Sequence, residues 1–150
     1  MADILIYSEK RDTARELTHR AKEFAGALGL GVSAAAFGST SGEVATELGA
    51  LGADTVYVSD DPALEGLQTD VVAEALAQVA RVAAATCVLV GSTRRGKELA
   101  SRLAQKLDAG CVTDVSSMAV EDGVLVAGRV GEGMAVRVDV GVAVTVACSA

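Results

Sequence analysis

The 150-residue chain is long enough to bury a core without metals or disulfides, and its length corresponds to a single domain spanning 1–150. Apolar residues make up 51% of it and aromatics only 3%, so the core is built from small side chains that let helices lie close to a sheet. With 20 acidic against 13 basic residues the formal charge is −7, which opposes binding to nucleic acid or to an anionic membrane surface.

The start of the chain, MADILIYSEK, has no basic region before a long apolar core, and no run approaches the ~20 apolar residues of a membrane span. The expectation is a soluble, cytoplasmic protein. Cys87, Cys111 and Cys148 show neither metal-ligand spacing nor an even disulfide framework, and each lies in an apolar run where a small buried hydrophobe would serve.

Ile4 to Tyr7 is a short apolar run suited to a central strand, and Ser8 opens a polar loop. From Asp12 or Thr13 the pattern turns helical, with Ala14, Leu17, Ala21, Phe24, Ala25 and Leu28 on one face, until Gly29 to Gly31. His19, the only histidine, falls near the solvent side of that helix without a nucleophile or carboxylate pair placed to work with it. Val32 to Phe37 is a second strand, and a Gly-Ser-Thr-Ser loop leads to a short helix through Val44, Leu48 and Leu51, ended by Gly52. Ala53 to Val58 is a third strand, Asp60, Asp61 and Pro62 break the pattern, and a long amphipathic helix is predicted from about Leu67 to Ala84.

Chemistry concentrates in the next stretch. Cys87 to Val90 forms a fourth apolar strand that stops at Gly91, passes Ser92 and Thr93, and enters a basic helix containing Arg94, Arg95 and Lys97. Backbone N–H groups at a helix start lack intrahelical acceptors and carry the positive end of the dipole, so a phosphate or carboxylate is a natural ligand there. The spacing Gly91, four residues, Gly96, Lys97 reproduces most of a phosphate-binding P-loop, but Glu98 stands where magnesium-binding Ser or Thr is required. A loop of solvated cations at an ordinary strand-to-helix turn is the alternative.

Four strands that are apolar runs, alternating with four helices, indicate an α/β fold with a mainly parallel sheet and helices on both sides, a three-layer arrangement. Ligands of such sheets collect beyond the carboxyl ends of the strands, so the loops after Tyr7, Phe37 and Val90 form the candidate rim. Beyond Leu107 no helix is predicted. Cys111 to Val115, a hairpin at Asp122-Gly123, Ala135 to Val140 and Val142 to Ala147 read as antiparallel strands at the C-terminal end. An apolar last strand is expected to leave an edge that a partner chain would cover. Asp114 at a strand end suits a turn or cap acceptor, and with Thr113 it is a second-tier binding candidate.

The succession Val90-Gly91-Ser92-Thr93, two residues, Gly96-Lys97-Glu98-Leu99-Ala100-Ser101-Arg102-Leu103-Ala104, then Leu107 and Val112-Thr113-Asp114-Val115, resembles the amino-terminal domain of the electron transfer flavoprotein alpha subunit. Ala53 to Val58 followed by Asp60-Asp61-Pro62-Ala63-Leu64, and Asp122-Gly123 before a strand ending at Arg129, add to the resemblance, which covers most of the chain. It implies a fold like the adenine-nucleotide alpha-hydrolase group and a role in flavin-dependent electron transfer with a beta-like subunit that can hold AMP. FAD is carried chiefly on a following carboxyl-terminal domain in that family, and this chain stops where that domain would begin. The cofactor-binding candidates are thus Gly91, Ser92, Thr93, Arg94, Arg95, Gly96, Thr113, Asp114 and Arg129. The chain departs from the family at Val130 to Ala135, where an aromatic and a Gly-Gly-Asn-Ala type turn are replaced, and at Ala147-Cys148, where an Arg-Pro pair is lost.

Two further readings stay open: a stand-alone module holding AMP or ATP at Gly91 to Gly96, and a ligand-free homodimeric assembly domain joined through its apolar tail strands. An independent enzyme has the least support, because the sequence contains no Ser, His, Asp arrangement, metal cluster or signalling carboxylate pair.

Overall fold

The computed structural model describes residues 3–65, 68–129, 135–138 and 143–147. Its elements run β1 (Asp3–Tyr7), α1 (Arg11–Leu28), β2 (Gly31–Phe37), α2 (Ser41–Ala50), β3 (Thr55–Ser59), a single 3-10 turn at Pro62–Leu64, α3 (Thr69–Val82), β4 (Ala85–Gly91), α4 (Arg94–Leu107), β5 (Gly110–Glu121), β6 (Val124–Arg129), β7 (Ala135–Val138) and β8 (Ala143–Ala147). No helix among the described residues is long and apolar enough to cross a membrane.

The first four strands are the predicted apolar runs, and they pair in parallel in the order β3-β2-β1-β4. Ile4, Leu5 and Ile6 of β1 and Val88, Leu89 and Val90 of β4 are fully buried, as a strand covered on both faces requires. Leu17, Ala21 and Phe24 of α1 and Leu48 of α2 pack on one face with Ile4, Ile6 and Leu89. Leu76 and Ala80 of α3 and Leu99, Ala100 and Leu103 of α4 pack on the other with Leu5, Val88 and Val90. Alternate residues of each strand thus feed the two faces. The helices of the first face are also tied at the surface, where Glu47 of α2 accepts from Arg11 at 2.5 Å and Arg15 at 2.9 Å, both from α1.

The tail differs from its sequence reading in two respects. Cys111 to Val115 does not end as a separate strand; β5 continues to Glu121, with register shifts around Val112 to Ser117 where its pairing changes from β8 to β6. The meander β5-β6-β7 is antiparallel as expected, turning at Asp122 (φ 53°) and Gly123 (φ 75°), the left-handed pair that a two-residue hairpin needs. β8, however, runs parallel to both β4 and β5 and lies between them, which completes one eight-stranded sheet. The last strand is therefore not the open edge expected of it, because both sides of β8 are paired, and the ends of the sheet are β3 and β7. Cys87 is buried as anticipated, whereas Cys111 is exposed; Cys148 lies outside the described residues.

Candidate functional site

β1 has β2 on one side and β4 on the other, and the helices that leave β1 and β4 go to opposite faces of the sheet. The chain order therefore reverses at this pair, and a crevice opens beyond their carboxyl ends. A cleft of about 310 Å³ occupies that place. Its rim comes from the loops after Tyr7, Phe37 and Val90, the three named from the sequence, and its walls include Leu64, Val72 and Leu99.

α4 forms here because Leu99, Ala100, Leu103 and Ala104 make a narrow buried stripe while Arg95, Lys97, Glu98 and Arg102 stay outside. Thr93 is its N-cap: its backbone is extended, and its hydroxyl accepts from the Gly96 N–H at 2.9 Å. That hydroxyl in turn donates to Glu9 Oε1 at 2.6 Å, and Glu9 Oε2 faces Arg95 Nη1 at 3.4 Å. A carboxylate of the protein thus already stands at the positive end of α4. Arg94 is exposed and forms no ion pair among the described residues.

The two glycines have a packing role that spacing alone did not reveal. A Cβ on Gly96 would lie 2.0 Å from the carbonyl oxygen of Gly91, and one on Gly91 would lie 2.5 Å from Ser8 Oγ and 2.9 Å from Thr13 Cγ2. The pattern Gly91, four residues, Gly96 lets the first turn of α4 close directly on the end of β4, and lets β4 pass under the loop after β1.

Of the remaining candidates, Thr113 is not among the described residues that line the cleft; it and Asp114 lie on β5, which β8 separates from β4. Arg129 ends β6, still further along the sheet; its side chain and that of Asp114 lie outside the described residues, as do Val130 to Met134. Sequence reasoning missed Glu9 and Glu65. The first follows Ser8 in a loop already marked as rim, and the second caps the 3-10 turn and reaches across to accept from the Ser39 N–H. The hydrogen bonds from Ser39 hold the Glu65 carboxyl below its ordinary value.

A Thr93→Ala variant is expected to lose about 1 kcal/mol of stability, the usual cost of an N-cap, read as a lower denaturation midpoint at unchanged slope. Tyr7, at the end of β1, supplies a pH signature: burial first, then the Glu9 charge, push its phenol from 10.0 to about 12, against a smaller opposing effect of Arg95. The unfolded chain releases this proton before the folded one does, so stability is full below pH 10 and falls as pH rises from 10 to 12. Denaturation midpoints across that window should show the fall, and Tyr7→Phe should flatten it.

The family model described as "Electron transfer flavoprotein domain" matches residues 5–147. The chain belongs to the electron transfer flavoprotein domain family. It is 31% identical over 125 residues to the electron transfer flavoprotein subunit alpha of Thermoanaerobacterium thermosaccharolyticum, covering 80% of this chain and 38% of that protein. It is 35% identical over 112 residues to the subunit of the same name from Megasphaera elsdenii, covering 75% and 33% respectively. Another relative, 31% identical over 124 residues, is the acryloyl-CoA reductase electron transfer subunit beta of Anaerotignum propionicum, covering 79% of this chain and 34% of that protein. The chain thus spans about a third of the length of these relatives.

Electron transfer flavoproteins are associated with flavin, yet the start of α4 does not fit the pyrophosphate of FAD or the phosphate of AMP as these residues are arranged. The Gly96 N–H is capped by Thr93, Arg95 is paired with Glu9, and the carboxylates of Glu9 and Glu65 both line the cleft. A phosphate entering the cleft would meet two like charges there, and of the two guanidiniums in the first turn of α4 only Arg95, which already has a partner, lines it.

Proposed function

We propose that this chain is the amino-terminal, alpha-type part of an electron transfer flavoprotein, and that it supports flavin-dependent electron transfer by docking to a beta-type subunit. The match over residues 5–147 carries this reading, and the relatives named as alpha subunits give it direction. In it, FAD is held with the partner or by a further domain, and AMP by the partner, so this chain contributes position and support while the flavin carries the electrons. The exposed, reduced Cys111 suits the reducing cytoplasm.

The test mixes the purified chain with FAD and the beta-type subunit of the same organism on a sizing column. Co-elution of both chains is expected, with visible flavin absorbance where the partner holds the FAD. Elution of the chain apart from the beta-type subunit would overturn the reading.

A further inference from the structure

One end of the sheet lacks the usual protection of an edge. β3 (Thr55–Ser59) takes no strand on its outer side among the described residues. Edge strands are ordinarily guarded by a charged residue, a proline or a bulge, because their free N–H and C=O groups template further pairing. β3 reads TVYVS and has none of these, whereas β7, at the other end, includes Arg137. Beside it, Phe37, Tyr57, Leu64, Val79 and Val82 line an apolar groove of about 380 Å³ between β3 and α3. Val58 and Val82, at 54% and 74%, are the most exposed large apolar side chains among the described residues.

The order of residues in β3 fits one occupant, the same strand run the other way. From Thr55 to Ser59 a hydroxyl residue, valine, tyrosine, valine and a second hydroxyl residue follow one another, so the chemical types read alike in both directions. Two copies laid antiparallel about a twofold axis at Tyr57 set Thr55 opposite Ser59, Val56 opposite Val58 and Tyr57 opposite Tyr57. Like types thus meet at every position, the self-complementarity that a twofold contact requires. Charge agrees with that direction. Lys22 stands 3.7 Å from Asp54 at the start of the strand, whereas exposed Asp60 and Asp61 follow its end. Antiparallel pairing brings the Lys22 end of each copy to the Asp60 end of the other; parallel pairing would set the two acidic ends together.

We propose that the outer edge of β3 is an interface with a second copy of this chain, the two β3 strands pairing antiparallel across a twofold axis at Tyr57 and joining the two sheets into one. Opposed residues of an antiparallel pair share a face, so the two Tyr57 rings meet where the grooves adjoin, and Val58 of each copy is covered by Val56 of the other. The proposal does not rest on docking to a beta-type subunit, since self-association is read on the chain alone.

Sedimentation equilibrium of the full chain from about 5 to about 500 μM tests it. A monomer–dimer equilibrium with a dissociation constant below about 100 μM is expected. Val58→Lys places a charge at an exposed position of the edge; it raises that constant by about tenfold or more and leaves the melting temperature of the dilute protein unchanged. Lys22→Glu raises it by about threefold or more, and adding Asp60→Lys to that variant lowers it again, which fixes the antiparallel direction. A parent protein that stays monomeric at about 500 μM, a Val58→Lys protein that dimerises as the parent does, or a double variant no tighter than Lys22→Glu alone, would each overturn the proposal. A monomeric parent whose co-elution with the beta-type subunit is abolished by Val58→Lys would assign the edge to that subunit instead.

Discussion

Alanine at Gly96 is expected to lower the melting temperature by roughly 6–12 °C, the equivalent of about 3 kcal/mol in a chain of this size. Helix propensity argues the other way, since alanine in place of glycine favours a helix by up to about 1 kcal/mol. Packing decides the sign, because the new Cβ would lie 2.0 Å from the Gly91 carbonyl oxygen, a backbone atom that cannot rotate away. Relief requires α4 to lift off the end of β4, which opens the stripe of Leu99, Ala100 and Leu103 against the sheet. Gly49 in α2 is the control: a Cβ there meets nothing within 4 Å, so Gly49→Ala should gain about 0.5 kcal/mol. A Gly96→Ala protein as stable as the parent would show that α4 does not seat on Gly91 as described.

Leu125→Ala is expected to destabilise the whole protein by about 2–4 kcal/mol in a single cooperative transition. Leu125 comes from β6, in the antiparallel meander, yet it is 2% exposed and belongs to the same buried cluster as Leu17, Phe24 and Leu89. Met118 of β5 packs against that cluster too, and its carbonyl accepts from Arg20 of α1 at 3.3 Å. The meander therefore shares a core with the parallel strands. A separate low-temperature transition in the variant, with the main one unmoved, would instead mark the meander as an appendage.

The parallel half of the fold was legible because each of its elements carries a local signal. Ile4 to Tyr7 and Cys87 to Val90 are apolar runs of strand length, and the buried residues of α1 and α4 recur at helical spacing. The position of β8 was not legible, since Ala143 to Ala147 reads the same whether it pairs at an edge or between β4 and β5, and pairing partners far apart in sequence leave no local trace. The rim of the site was anticipated, but its electrostatics were not. Glu9 in a polar loop looks like a solvated side chain, and only the fold brings it against Thr93 and Arg95. Glycine likewise serves either a close ligand or a close backbone, and the sequence around Gly91 and Gly96 does not distinguish them; contact between the two residues themselves is what the fold selects.

The seat of β8 between β4 and β5 also governs the order of assembly. During synthesis, β4 and β5 each lack the strand that pairs with them in the finished sheet until residues 143–147 have emerged, some 50 residues after β4 is made. Unpaired strand edges are open to wrong pairing with a neighbour, and the pairing of β8 with β4 is a long-range contact of the kind that slows folding. Release of a nascent chain truncated before Ala143 would leave that slot permanently open.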